Sequence, residues 1–148
     1  MRDTDRRLTK RDLETLAQFR YQLRRFLRFS EKLCRKNNVT PLQYLLLLHI
    51  RGFPSRNWAT VSELAERLQA YHHGVVSLVS RCAKQKLIER RRSREDRRRV
   101  EIHLLAKGNR CLEQLAKLHR NELALLQKEY WPPLDMIASK PKRKKGRR

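Results

Sequence analysis

The spacing of apolar residues restricts this chain to a mostly helical fold with one small β-hairpin. Apolar side chains recur every three or four positions from Leu8 to Lys36 and from Ala106 to Trp131, which is the period of an amphipathic helix. Val100 to Leu104 instead alternates apolar and polar residues, as a strand does, and Leu87 to Arg90 can begin its partner. The chain of 148 residues contains only four glycines and five prolines, which also disfavours a β-sandwich.

Two capping signals divide the middle of the chain into short helices. Asn37-Asn38 ends the first long helix, and Thr40-Pro-Leu-Gln43 reads as a capping box with proline at the first helical position. The next helix, LQYLLLLHI, is apolar nearly all round, so we predict that it is the most buried element; Gly52-Phe-Pro54 ends it. Thr60-Val-Ser-Glu63 is a second capping box, which opens the short helix VSELAERL.

A further helix, predicted from His72 to Gln85, has two chemically different faces. Val75, Leu78, Val79 and Cys82 fall on one face at helical spacing. The opposite face is small or polar, as a helix that enters the major groove of DNA requires. The candidate DNA contacts on that face are His72, His73, Val76, Ser77, Ser80, Arg81 and Lys84. On this helix alone, an ordinary surface helix is an equal alternative.

The connection of the predicted hairpin is strongly basic. RRRSREDRRRV, from Arg90 to Val100, contains seven arginines and two acids. Arginines at the tip of a β-turn can enter the minor groove, where the negative potential attracts a guanidinium. We predict that the Asp96 carboxylate pairs with the guanidinium of Arg98 and fixes its direction. The candidate DNA-binding residues of this connection are Arg92, Arg94, Asp96, Arg97 and Arg98.

This order of elements is that of a winged helix-turn-helix, and three segments make the similarity more specific. TPLQYLLLLHI, VSELAERL and above all LIERRRSREDRRRVEIHLLAKG resemble the MarR family of transcription regulators. The resemblance implies a dimer on pseudo-palindromic DNA, with Asp96 and Arg98 as the wing acid and the minor-groove arginine. Thr60 and Ser62, in the first helix of the helix-turn-helix, are further candidates.

Two positions depart from the family pattern. Lys86 stands where a glycine usually precedes Leu-Ile, and Leu105 stands where a threonine usually caps the last long helix. Both departures concern local geometry, at a left-handed helix end and at a helix start, and neither touches the predicted DNA-binding face.

We predict four regions. An N-terminal dimerisation helix (1–36) precedes a winged helix-turn-helix domain (37–105), C-terminal dimerisation helices (106–138) and a disordered basic tail (139–148). The two long terminal helices carry more apolar surface than so small a domain can cover, which favours a two-fold homodimer.

The charge of the chain points to a polyanionic partner. Its formal net charge is +22, so nucleic acid is the first candidate and an anionic membrane surface the second. We predict a dimeric, sequence-specific DNA-binding regulator, a repressor released by a small aromatic or phenolic ligand. The alternatives are a basic protein that binds nucleic acid without sequence preference, associated with RNA or the nucleoid, and a membrane-surface scaffold.

Other function classes have little support in the sequence. It has no Gly-rich phosphate loop, nucleophile elbow or apolar pair of carboxylates, so we expect neither an enzyme nor a cofactor. The cysteines have no metal-ligand spacing, and the adjacent histidines face different ways on a helix, so no metal is expected. No secretory signal or bilayer-length apolar run occurs, which predicts a cytoplasmic, nucleoid-associated protein.

Two further sets of residues are candidates for regulation. In proteins of the resembled family, an effector pocket often lies between the dimer helices and the DNA-binding lobe; Phe19, Tyr44, His49 and Trp58 are candidates to line one here, although each is alternatively a core residue. Cys34 and Cys111 are candidate redox sensors, provided that the surrounding arginines lower their pKa values, whereas Cys82 is expected in the core.

Overall fold

The computed structural model describes residues 7–129, which contain five helices and one three-stranded antiparallel sheet. In chain order these elements are α1 (Lys10–Lys36), α2 (Pro41–Arg51), β1 (Trp58–Ala59), α3 (Val61–Leu68), α4 (His72–Lys84), β2 (Ile88–Arg92), β3 (Val100–Leu104) and α5 (Ala106–Glu129). The predicted helical architecture with a β-hairpin is confirmed. The end of the last long helix beyond Glu129 and the basic tail, both predicted above, lie outside the described residues.

The chain forms two compact units. One comprises residues 1–27 and 122–148, of which 7–27 and 122–129 are described, and it holds the outer parts of α1 and α5. The other comprises residues 28–121 and holds α2, α3, α4 and the sheet. All of the predicted DNA-binding residues therefore belong to the second unit.

Both predicted capping boxes are present. The backbone N–H of Gln43 donates to Thr40 Oγ1 at 3.1 Å, and the Thr40 N–H donates to Gln43 Oε1 at 3.0 Å. The Thr60 and Glu63 pair repeats this arrangement, with distances of 3.3 Å and 2.8 Å. Each box satisfies backbone donors that the first turn of a helix leaves unpaired, so both helix starts are fixed locally.

The core of the second unit is formed by the apolar faces that the sequence predicts. Leu46, Leu47 and Ile50 of α2 are fully buried, as is Leu64 of α3. The predicted inner face of α4 is buried along its whole length, at Val75, Leu78, Val79 and Cys82. The sheet contributes Ile88 and Ile102, and α5 contributes Leu112 and Leu115.

The sheet has the order β1-β3-β2 and differs from the predicted hairpin in two respects. β1 pairs with β3 through Trp58 opposite His103 and Ala59 opposite Ile102. This two-residue strand was not predicted because it is too short to show alternation. β2 continues to Arg92, which lies opposite Val100, so the connection between the strands is residues 93–99.

The junction between α4, β2 and α5 is tightly packed. Lys86 has a left-handed backbone with φ of 61°, so the helix end that usually takes glycine is built here with lysine. Leu87 N–H then donates to the Cys82 carbonyl at 3.0 Å, and Leu105 N–H donates to the Leu87 carbonyl at 2.9 Å. A Cβ at Gly108 would lie 2.1 Å from that same Leu87 oxygen, so this helix turn can approach the Leu87 backbone only with glycine.

Candidate nucleic-acid interface

The exposed face of α4 carries the residues predicted to read DNA. His72, His73, Val76, Ser77, Arg81 and Lys84 are all exposed, and Ser80 is half-buried. Tyr71, the residue that precedes the helix, is 82% exposed and stacks on His73, with ring centroids 5.7 Å apart. Because the opposite face of α4 is buried in the core, this polar face is presented outward by a rigid support.

A hydrogen bond joins this helix to the base of the wing, which is the hairpin formed by β2 and β3. The Arg90 guanidinium, on β2, donates to Ser80 Oγ at 2.8 Å. Ser80 is therefore engaged within the protein, and its hydroxyl fixes the position of β2 relative to α4. The helix face and the arginine-bearing hairpin consequently form one surface.

The wing loop, residues 93–99, is organised around a serine that the sequence analysis did not single out. Ser93 is 2% exposed, and its Oγ accepts hydrogen bonds from the N–H groups of Glu95 and Asp96, each at 3.3 Å. Its own N–H donates to the Arg99 carbonyl at 2.9 Å and closes the loop. A small residue that interrupts an arginine run was the available signal, because a serine in a tight turn commonly bonds nearby backbone groups.

The Asp96 carboxylate acts differently from the prediction. Its Oδ1 accepts from the backbone N–H of Arg98 at 3.0 Å, and none of the ion pairs found among residues 7–129 joins Asp96 to the Arg98 guanidinium. The predicted side-chain pair is therefore wrong. An acid two residues ahead bonds the backbone more easily than the long side chain, so Asp96 shapes the turn and leaves Arg98 exposed.

The remaining predicted arginines of this region point to solvent. Arg92, Arg94 and Arg97 are exposed, like Arg98. Arg99 is different, because its guanidinium lies over the Trp58 ring with Cζ 5.0 Å from the centroid. In the loop, the guanidinium groups of Arg94, Arg97 and Arg98 are therefore exposed, and that of Arg99 packs within the protein.

Thr60 and Ser62, the two residues predicted at the start of α3, have different environments. Thr60 is the N-cap described above, so its hydroxyl already accepts the Glu63 N–H. Ser62 is exposed on the first turn of α3. Burial acts to raise the pKa of Glu63, but hydrogen bonds from Arg56 and Thr60, with the Arg56 charge, outweigh it and lower that pKa. The cap is therefore ionised over a wide pH range.

The candidate ligand-pocket residues have different surroundings. Tyr44 is buried and stacks on His119, with centroids 4.4 Å apart, and burial raises its pKa to about 12. Trp58 contacts Arg56 and Arg99 at the sheet. His49 is half-buried, and burial followed by the nearby Arg67 charge lowers its pKa. Phe19 belongs to the other unit and is 43% exposed.

The candidate redox cysteines are not activated in the way that was expected. Burial raises the pKa of the Cys34 thiol, which is fully buried, and also that of half-buried Cys111. Cys82 lies in the core, as predicted, and burial raises its pKa to about 11. At Cys82 the nearby Arg81 charge acts to lower the pKa, but desolvation of the thiolate is the largest effect at every one of the three cysteines and outweighs it.

Within residues 7–129, no group of three histidine, cysteine or acidic side chains is arranged to hold a metal ion. Over the same residues, no helix is both long and apolar enough to cross a membrane.

Comparison with known proteins agrees with this geometry. Residues 37–99, which run from the end of α1 to the end of the wing loop, match a model described as the MarR family. The resemblance to the MarR family is confirmed. A search of curated protein sequences gives no significant match.

Solved structures extend the MarR-type similarity beyond residues 37–99. AbsC, a MarR family transcriptional regulator from Streptomyces coelicolor, is 18% identical with a TM-score of 0.70, and the match covers 89% of this chain and 88% of AbsC. A MarR family protein from Bacillus stearothermophilus is 22% identical with a TM-score of 0.69, covering 88% and 89%. A MepR variant from S. aureus bound to an oligodeoxyribonucleotide is 19% identical with a TM-score of 0.61, covering 88% and 91%. The chain therefore has the fold of MarR family transcriptional regulators.

Proposed function

We propose that this protein is a dimeric, sequence-specific DNA-binding regulator of transcription that acts as a repressor. The observation that carries the proposal is the hydrogen bond between Ser80 and Arg90, at 2.8 Å. It fixes the outward face of α4 and the arginine-rich hairpin in one arrangement, as simultaneous contact with adjacent grooves requires. A charge run on a mobile segment would have no such fixed geometry.

The chemistry of this surface fits duplex DNA. Residues 71–99 contain ten lysines and arginines but only three acids, so the surface is attractive to phosphate. The α4 face adds the hydroxyl of Ser77 and the guanidinium of Arg81, which are able to bond base edges in the major groove. The exposed wing arginines, with Arg98 held at a defined backbone position by Asp96, suit the narrower minor groove.

An apolar face of α1 that is exposed in the single chain supports the dimer. Leu13, Leu16, Phe19 and Leu27 share one side of this helix, and each is at least 43% exposed in the single chain. Exposed apolar faces of this kind mark protein interfaces. In a two-fold dimer this face packs against the same face of the second copy, and the two wings then bind the two half-sites of the DNA.

The structural relative bound to an oligodeoxyribonucleotide also favours this function, since its fold covers most of this chain. In the proposal, an aromatic or phenolic anion releases the repressor from DNA. Two aromatic residues of the second unit were predicted to bind it. Tyr44 stacks on His119 and Trp58 contacts Arg56 and Arg99, so each would bind the anion from a different place in this unit.

Selection of duplexes from a random pool by the full-length protein tests the proposal. We expect enrichment of a two-fold symmetric site whose preference persists at about 0.15 M salt. Equal binding of all sequences, lost uniformly as salt rises, would instead indicate the charge-only nucleic-acid binder.

Two single-charge variants, each the control for the other, assign the roles of helix and wing. Arg98→Ala should weaken every selected site, most of all those with a narrow minor groove, because it removes a minor-groove cation. Arg81→Ala should change which bases are preferred, because it removes a base-edge donor. An unchanged base preference in Arg81→Ala and an unchanged affinity in Arg98→Ala would contradict these assignments.

A further inference from the structure

Arg99 is the one arginine of residues 93–99 that is packed into the protein in this structure. Its Nη2 lies 3.3 Å from Ser93 Oγ and 3.7 Å from a Glu95 carboxylate oxygen. Its backbone N–H donates to the Asp96 carbonyl at 3.0 Å. Its side chain is 36% exposed, whereas Arg97 and Arg98 beside it are exposed. Arg99 therefore ties both sides of the wing loop together from within.

The Trp58 ring beneath Arg99 is itself held in place. Trp58 lies on β1 opposite His103 of β3, and the Arg56 guanidinium covers the ring with Cζ 3.8 Å from its centroid. Arg56 is only 22% exposed and bonds Glu63, the acid of the α3 capping box. A continuous chain of contacts thus runs from the start of α3 through Arg56 and Trp58 to the wing loop.

We propose that Arg99 and Trp58 are positioning residues that set the direction of the wing arginines relative to α4, without contacting DNA themselves. This inference rests on the proposed function, since it concerns how the same surface engages a duplex. Without the stacked pair, the loop would still carry its cationic charge, but Arg98 would no longer be presented at a fixed distance from the recognition helix.

The arrangement needs the shape of arginine as well as its charge. A planar guanidinium stacks on an aromatic face and at the same time bonds oxygens at its edge, whereas the ammonium of lysine is a compact, strongly hydrated charge. Stacking of this kind contributes only modestly where it is partly exposed to solvent. Loss of the pair should therefore weaken binding measurably without unfolding the domain.

The test compares Arg99→Lys, Trp58→Leu and Arg98→Ala with the wild-type protein on two probes. These are the duplex that the wild type enriches most from a random pool, and a scrambled duplex of the same length. Arg99→Lys keeps every charge and Trp58→Leu alters none, so both should weaken binding to the enriched duplex by about threefold to tenfold. Their log–log salt slopes should equal that of the wild type, whereas Arg98→Ala should lower the slope of the dimer by about 1.8, or about 0.9 for each of its two wings.

Fluorescence supplies a readout that is independent of DNA. In a Trp131→Phe background, Trp58 is the only remaining tryptophan. Arg99→Lys should increase quenching of its emission by acrylamide, because the ring keeps the Arg56 guanidinium but loses that of Arg99, while Arg97→Lys, on an exposed neighbour, should leave the quenching unchanged. Circular dichroism and urea unfolding identify any variant that fails to fold, and Arg99→Lys then provides the decisive comparison.

The outcomes separate the two proposals. Wild-type affinity in both Arg99→Lys and Trp58→Leu, or a reduced salt slope in Arg99→Lys, would overturn the positioning role and leave the proposed function intact. A wild-type protein that enriches no duplex would overturn the proposed function itself. In that case, unchanged acrylamide quenching in Arg99→Lys would overturn the Arg99–Trp58 stacking as well.

Discussion

Gly108 and Gly74 show how different the demands on two helical glycines are. Gly108 lies in the first turn of α5, where a Cβ would be 2.1 Å from the Leu87 carbonyl oxygen and 3.0 Å from its carbon. Gly74, in the first turn of α4, has nothing within 4 Å of the corresponding position. Neither glycine has a positive φ, so the difference between them is one of space and not of backbone conformation.

We therefore expect opposite effects of the same substitution at these two residues. Gly108→Ala should lower the free energy of unfolding by about 2–3 kcal/mol, because backbone atoms must move apart and this outweighs the helix propensity of alanine. Gly74→Ala should raise it by roughly 0.5–1 kcal/mol. Urea unfolding of both variants gives the comparison, and a Gly108→Ala protein stabilised as much as Gly74→Ala would show that the contact with Leu87 is unimportant.

Residue-scale geometry was predictable only where the pattern names a backbone conformation. The position of Lys86 indicated a left-handed helix end, and its φ of 61° agrees. By contrast, the sequence alone does not distinguish the roles of the two adjacent acids in the wing: Asp96 accepts from the backbone N–H of Arg98, while Glu95 lies near the Arg99 guanidinium. Which donor wins depends on the loop conformation, and the sequence does not contain that explicitly.

Among the elements, α3 depends most clearly on its ends. It is eight residues long, shorter than helices that persist alone, so its capping box and its packing through Leu64 determine whether it forms. The same cap acid, Glu63, bonds Arg56 and so connects α3 to the contacts of the wing.

Thr60→Ala should destabilise the domain by about 1 kcal/mol, because it leaves the Glu63 N–H without its acceptor. The lowered pKa of Glu63 adds a pH dependence. Its contribution is complete above the unfolded-state pKa of about 4.3 and is lost as pH falls through the lower folded value. Glu63→Gln keeps an acceptor but should remove this acid-dependent part, as urea unfolding at a series of pH values would reveal. A Thr60→Ala protein as stable as the wild type would contradict the role of the cap.

Elements with a clear period were found from sequence, and those without one were not. The helices were predicted because apolar spacing and capping residues agree over many positions, and the inward face of α4 was correct residue by residue. β1 consists of two residues whose pairing with β3 is long-range, so no local pattern could reveal it. The contact between Trp58 and Arg99 depends on that strand and was missed for the same reason.

At the scale of the whole molecule, the proposed dimer brings together two chains that each have a formal net charge of +22. The apolar side of α1 is the surface that has to hold them together. Two copies of so basic a chain repel one another, and burial of apolar side chains must exceed that repulsion. The redox hypothesis was less successful at this scale, because a general excess of arginine does not lower the pKa of a cysteine that is itself desolvated.

Leu16→Glu should convert the proposed dimer to a monomer, since it places a charge in the centre of the apolar side of α1, at a position 56% exposed in the single chain. Tyr21→Glu is the matched control, because Tyr21 is 57% exposed but lies on another side of the same helix. Light scattering coupled to gel filtration measures the mass. Loss of the dimer should reduce affinity for the selected duplex by about 100-fold or more. A Leu16→Glu protein that remains dimeric would place the interface elsewhere.

The order of the sheet has a consequence for how the protein survives at high concentration. β2 is an edge strand, and an edge with unpaired backbone groups invites another chain to add a strand and begin aggregation. Arg90, Arg91 and Arg92 occupy the outer half of this edge and are exposed. Two such edges repel each other at close range, so the arginines of β2 also keep free molecules from polymerising through their sheets.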